Sequence, residues 1–183
     1  LKPESKVRAV EKMNGFLGCI TKHPYRNDLL FSTTGNLDNK YTDYIKSFVT
    51  PELKLRMLNF FASNGNQTLM FEVLHADDPH IIQYKPEDLG LWLIGARGLK
   101  ESDNIKTEHE LDSIGKTLTL RRPEHFTCDF KDLLIKLKDC KHEGFMVWEI
   151  DSEGKETPIM KIKSDYYLVT KFLSRITSKK IES

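Results

Sequence analysis

The chain is short of cysteine, of net charge and of long apolar runs, and each shortage excludes something. Its three cysteines, Cys19, Cys128 and Cys140, stand far apart in 183 residues. An odd number at such spacing builds neither a CxxC metal site nor a disulfide framework. It fits a reducing compartment, so a cytoplasmic location is expected. The 28 basic and 27 acidic residues leave a formal charge of +1. That balance excludes a bulk polyanion binder, and any contact with nucleic acid must come from locally concentrated cations. No apolar stretch approaches the roughly 20 residues that span a bilayer, and residues 1–30 lack the uninterrupted apolar segment of a signal peptide. No membrane partner is expected. Repeats and low-complexity tracts are missing as well. What is there, 39% hydrophobic and 30% charged residues, reads as a soluble globular chain, long enough for a real core and of a size for one domain. It opens on Leu1 rather than methionine, as a piece excised from a longer protein would.

Residues 5–35 predict strands: KVRAVEK alternates partly, GFLGCITKH is apolar and β-rich, and DLLFSTT follows a turn-like PYRND. Tyr41, Tyr44, Ile45 and Phe48 have helical spacing. Thr50, Pro51 and Glu52 signal a helix start, and Leu53, Met57, Phe60 and Phe61 form its apolar stripe, which NGN at 64–66 ends. Strands are predicted at 67–75, 80–84 and 91–97, and a loop with a short helix over 98–116. A helix follows at 130–140, then a hairpin of 143–150 and 157–164 around DSEGKE, and a closing helix at 166–176. The tail RITSKKIES reads as a fraying basic end. The class is α+β, with mostly antiparallel strands and flanking helices.

Four stretches could carry chemistry. In KMNG, Lys12 precedes Asn14 and Gly15. An amine becomes a nucleophile when desolvation or nearby cations favour its neutral form, and Gly15 would let a substrate approach the backbone; the bland reading is a strand-end lysine before a turn. In MKIKSDYY, Lys161 and Lys163 share one strand face and Met160 and Ile162 the other. Two ammonium groups on one face suit a phosphate clamp or a solvated strand. Glu143, before the apolar strand GFMVWEI, is either an edge carboxylate or one that holds a metal near phosphates. Glu72 lies mid-strand between Phe71 and Val73, and needs a partner or a ligand if its face is buried. HADDPH at 75–80 reads as turn chemistry rather than a metal site. Arg121 and Arg122 read as a solvated basic loop, and Trp92 and Trp148 as core.

Taken in order, KMNG (Lys12–Gly15), FEV (Phe71–Val73), EGFMV (Glu143–Val147) and KIKSDYY (Lys161–Tyr167) resemble motifs I, III, IV and V of the covalent nucleotidyltransferases, the polynucleotide ligases and mRNA capping enzymes. KIKSDYY and the EG-aromatic motif resemble RNA ligases of the phage T4 RNA ligase 1 and tRNA-repair type in particular. STTG (Ser32–Gly35) matches the small motif between I and III without its usual lysine, and LWLIGAR (91–97) the strand lining the adenine pocket. The resemblance spans about residues 7–171. It implies one nucleotidyltransferase domain over 1–183, of ATP-grasp-like ligase architecture, with two antiparallel sheets flanked by helices around an ATP pocket.

It implies further that Lys12 attacks the α-phosphate of ATP. The AMP then passes to an RNA 5′-phosphate, and a 3′-hydroxyl seals the break. Lys161 and Lys163 would neutralise phosphates and keep Lys12 deprotonated. Glu11, Met13, Asn14, Gly15, Glu72, Glu143, Lys161 and Lys163 would bind ATP, and Glu143 and Glu72 would hold Mg2+ or Mn2+. The implied partner is RNA with 5′-phosphate and 3′-hydroxyl ends, such as cleaved tRNA, with end-healing or RNA-binding domains fused outside this chain. Only eleven residues precede Lys12, fewer than usual before motif I, so the family's upstream contacts, a phosphate-binding arginine among them, are expected to be absent or trimmed. The competing readings are a DNA ligase, a capping enzyme, or a non-catalytic nucleic-acid-binding module with the same fold.

Overall fold

Apolar alternation builds two antiparallel four-stranded sheets, one in each of two units. The computed structural model describes residues 1–100, 103 and 105–182. In chain order the strands are β1 (Lys6–Glu11), β2 (Phe16–Lys22), β3 (Leu29–Ser32), β4 (Gln67–Leu74), β5 (Gly90–Gly98), β6 (His125–Asp129), β7 (Gly144–Ile150) and β8 (Glu156–Lys163). The helices are α1 (Lys40–Ser47), α2 (Pro51–Asn64), α3 (Glu108–Leu118), α4 (Phe130–Lys138) and α5 (Asp165–Glu182). The expected α+β class with two antiparallel sheets and flanking helices is what forms. Among the described residues no helix is long and apolar enough to cross a membrane.

One unit comprises Leu1–Asn14, Pro79–Gln83 and Pro123–Ser183. Its sheet runs β6-β1-β7-β8. Val7 and Ala9 of β1 meet Phe145 and Val147 of β7, and Leu133 of α4 closes this small core. The other unit comprises Gly15–Asp78 and Tyr84–Arg122, with sheet order β3-β2-β4-β5. Leu69, Phe71 and Val73 of β4 alternate inward, and Met57 and Phe61 of α2 and Leu111 of α3 cover them. Thr50 caps α2 as expected, accepting from the Leu53 N–H at 3.1 Å, and Pro51 follows at the first helical position, where its missing N–H costs nothing.

Three expectations change, and one strand is unforeseen. Residues 80–84 are irregular rather than a strand, because the Ile82 N–H goes to the Asn14 side chain instead of a ladder. HFTCD, for which no element is predicted, is β6, paired along β1 from Lys6↔Asp129 to Val10↔His125. The basic tail does not fray, since α5 continues to Glu182. Arg122 is not solvated. Its side chain is 9% exposed and pairs with Glu108 and with Asp112, the latter at 3.0 Å. The ADDP segment is the expected turn, with the Asp77 N–H on His75 Nδ1 at 3.0 Å.

Candidate active site

The end of β1 brings the chemistry together. Alternation turns Val7 and Ala9 into the small core, so Arg8 and Val10 stand on the other face. The backbone then continues the ladder past the strand, with the Lys12 N–H donating to the Gly144 carbonyl at 2.9 Å. Lys12 Nζ lies 3.0 Å from Glu143 Oε1. The second oxygen, Oε2, accepts from Asn14 Nδ2 at 3.0 Å. Asn14 Oδ1 in turn accepts from the Ile82 N–H at 3.0 Å. Glu143 is only 4% exposed, and a carboxylate that deep has to be paired. Lys12 and Asn14 supply the pairing. Lys12 is therefore held in an ion pair with Glu143.

Gly144 makes this arrangement possible. Its φ is +137°, and a Cβ there would stand 2.0 Å from the Ile162 carbonyl oxygen, so only glycine lets β8 close against β7. Lys163 is opposite Gly144, and Lys161 opposite Met146. Both lysines are exposed, while Ile162 packs against the small core, as the alternation predicts. Neither lysine forms an ion pair with a described residue.

Ser164 is a member of the site that the motif pattern does not single out. It is fully buried. Its N–H donates to the Glu143 carbonyl at 2.9 Å, its hydroxyl donates to the His142 carbonyl at 2.6 Å, and its Oγ accepts from the Tyr167 N–H at 3.1 Å. It thus ties the end of β8 and the start of α5 to the residues before β7. A signal for it exists in the sequence, since a serine just before a helix is a cap.

The remaining motif residues belong to the other unit. The Gly15 N–H donates to Glu72 Oε1 at 2.9 Å. Gly15 is required by the protein itself, because a Cβ would lie 2.2 Å from the Val73 carbonyl oxygen. Register places Leu17, Glu72 and Trp92 side by side, on the face away from Phe71 and Val73. Trp92 is half-buried rather than core, with the Arg121 guanidinium 4.6 Å from its ring. Trp148 is buried. STTG forms the turn after β3, with Thr33 bridged to Asn36. In the first unit, Glu11 pairs with Phe145 in register, on the face opposite Val10, and Met13 is buried.

Burial pushes the thiols of Cys19, Cys128 and Cys140 up from their ordinary pKa, which favours the protonated thiol in each. Among the described residues no three His, Cys, Asp or Glu side chains converge as a metal cage. A magnesium-like ion suits one carboxylate together with waters and substrate phosphates. Glu143, whose oxygens each keep a lone pair beyond the contacts above, fits that donor set.

A family model described as RNA ligase, of the phage T4 RNA ligase 1 type, matches residues 1–175. No curated protein matches the chain. Among solved structures, an archaeal ATP-dependent RNA ligase is similar at 19% identity and TM-score 0.66, over 89% of this chain and 44% of its own. A variant of Naegleria gruberi RNA ligase with ATP and Mn follows at 16% identity and 0.64, over 91% and 52%. A candidate ATP-dependent DNA ligase from Aquifex aeolicus has 18% identity and 0.62, over 90% and 45%. The chain thus spans about half the length or less of these relatives, and the structural likeness establishes the fold. Membership rests on the family match across nearly the whole sequence: this chain belongs to the RNA ligase family of the phage T4 RNA ligase 1 type.

Proposed function

We propose that residues 1–183 form the nucleotidyltransferase domain of an ATP-dependent RNA ligase with Lys12 as its nucleophile. The observation that carries this reading is the cluster of half-buried Lys12 with buried Glu143 and Asn14, one ladder step from Lys163, which has no ion-pair partner among the described residues. A lysine that served only to neutralise Glu143 would need no phosphate-binding cations beside it.

In the first step the neutral Lys12 amine attacks the α-phosphorus of ATP. A P–N bond forms, the bond between the α-phosphorus and its bridging oxygen breaks, pyrophosphate leaves, and the amine's proton passes to solvent. Lys161 and Lys163 offset the charge of the phosphates through the transition state. In the second step an oxygen of the RNA 5′-phosphate attacks the same phosphorus, the P–N bond breaks, and Lys12 recovers its proton. In the third the RNA 3′-hydroxyl attacks the 5′-phosphate and AMP departs.

Glu143 is the side chain that would hold a divalent metal, with Glu72 the second candidate. Such an ion would neutralise phosphate oxygens and compete with Lys12 for the Glu143 carboxylate. The Naegleria structure contains Mn. We take Mg2+ as the ion here, cleaved tRNA as the substrate, cytoplasm as the location, and end-healing or RNA-binding domains as partners elsewhere in a longer chain.

Intact mass spectrometry after incubation with ATP and Mg2+ tests the proposal. One added AMP on the parent and none on Lys12→Ala is the expected result. No adduct on a folded parent would favour a binding module that keeps the fold without the reaction.

A further inference from the structure

Directly after Lys163 the chain enters α5, and its first turns gather charge around one ring. Tyr167 is 6% exposed. Lys163 Nζ stands 5.4 Å from its ring centroid, and Lys171 Nζ 5.6 Å. Lys171 lies one helical turn beyond Tyr167, and helix side chains lean toward the N-terminus. It therefore reaches back toward Lys163. It is half-buried, while most of the later helix is exposed.

Neither lysine has a carboxylate partner among the described residues. Elsewhere Lys6, Lys12, Lys46, Lys54 and Lys106 each have one. A ring face attracts a cation but does not neutralise it. From residue 161 to 182 the chain carries Lys161, Lys163, Lys171, Arg175, Lys179 and Lys180 against Asp165 and Glu182. In a chain of net charge +1, this is the local concentration of cations that an anionic ligand requires.

We propose that Lys171 is a third phosphate-binding cation of the site, held in place by Tyr167 and acting beside Lys163 on a phosphate group. This rests on the reading of Lys161 and Lys163 as phosphate ligands. Two sources share the chemistry, the triphosphate of ATP and the 5′-phosphate of the RNA end, and binding experiments separate them.

The intact chain is titrated with pyrophosphate, with a 5′-phosphorylated oligoribonucleotide, and with the same oligoribonucleotide bearing a 5′-hydroxyl. Lys171→Ala should weaken one of the phosphate titrations by roughly three- to tenfold, the size of one typical net hydrogen bond, and Lys171→Arg should retain most of the affinity. Lys138→Ala, an exposed lysine on α4, should change nothing. Loss with pyrophosphate assigns Lys171 to the triphosphate; loss confined to the 5′-phosphorylated strand assigns it to the RNA end. Unchanged affinities in Lys171→Ala, or a parent that binds neither probe, overturn the proposal. Lysine–AMP formation by the parent is read separately. Its absence would count against the ligase reading, while the titrations would still judge Lys171.

Discussion

Each unit buries a cation beside a carboxylate, and the two pairs differ in one chemical respect. In the unit built on β2 to β5, sixteen buried apolar residues form the core, and Arg122 is clamped by Glu108, by Asp112 and by the Leu93 carbonyl. In the unit built on β1 and β6 to β8, the core cluster has six buried residues, and Lys12 pairs with Glu143. A guanidinium stays charged at any workable pH, so the Arg122 clamp is permanent. An ammonium can lose its proton, so under the proposed function the Lys12 pair would open to release the attacking amine. On that proposal the same device for pairing a carboxylate is a brace in one unit and a switchable reagent in the other. The smaller core also buries more polar chemistry: Arg8, Asn14, Glu143 and Ser164 all lie in that unit.

The sharpest way to break this comparison is to make the switchable pair permanent. Lys12→Arg keeps a cation on Glu143 but supplies no attacking amine. We expect it to melt near the parent and form no AMP adduct, read by intact mass. An adduct on the arginine variant would remove Lys12 as the nucleophile. Next in size, Arg122→Ala should cost about 3–5 kcal/mol, because it strands the buried Glu108 carboxylate. Urea unfolding measures this, and a loss under about 1 kcal/mol would mean that the clamp is not structural. Gly144→Ala should cost roughly 1–3 kcal/mol for its positive φ alone and more from the collision with the Ile162 carbonyl. It should also slow adduct formation, since the Gly144 carbonyl receives the Lys12 N–H; parent-like rates would detach the strand junction from the chemistry.

The smallest effect concerns acid. The hydrogen bond from Lys54 first, and then that from the Leu29 N–H, hold the Asp28 carboxyl below its ordinary pKa. Its stabilisation is full above the ordinary aspartate value, about 3.9, and is lost as pH falls through the lower folded value. For a half-exposed, screened pair this is about 0.2–1 kcal/mol. Lys54→Ala should flatten the fall of melting temperature between pH 5 and pH 2, and an identical slope would assign the acid sensitivity elsewhere.

Much of the site is legible in the sequence because its residues sit in local patterns. The alternation of MKIKS by itself puts Lys161 and Lys163 outward and Ile162 inward, and FEV places Glu72 opposite its buried neighbours. Arg122 reads wrongly as solvated because nothing near it in sequence shows that Glu108 and Asp112, ten and more residues earlier on α3, curl back to meet it. Residues 80–84 look like a strand by composition, yet their fate depends on a side-chain acceptor 68 residues away at Asn14.

Periodicity, capping residues and the order of four short motifs determined the α+β class, the main strands and the family, because those signals act over a few residues along the backbone. Only the tertiary structure decided that Lys12 is paired with Glu143, that Asn14 is a strut between Glu143 and Ile82, and that Lys171 shares a ring with Lys163. Those facts depend on partners brought together by folding. Burial then makes pairing obligatory, since an unpaired charge or amide in the interior costs more than the chain's marginal stability allows.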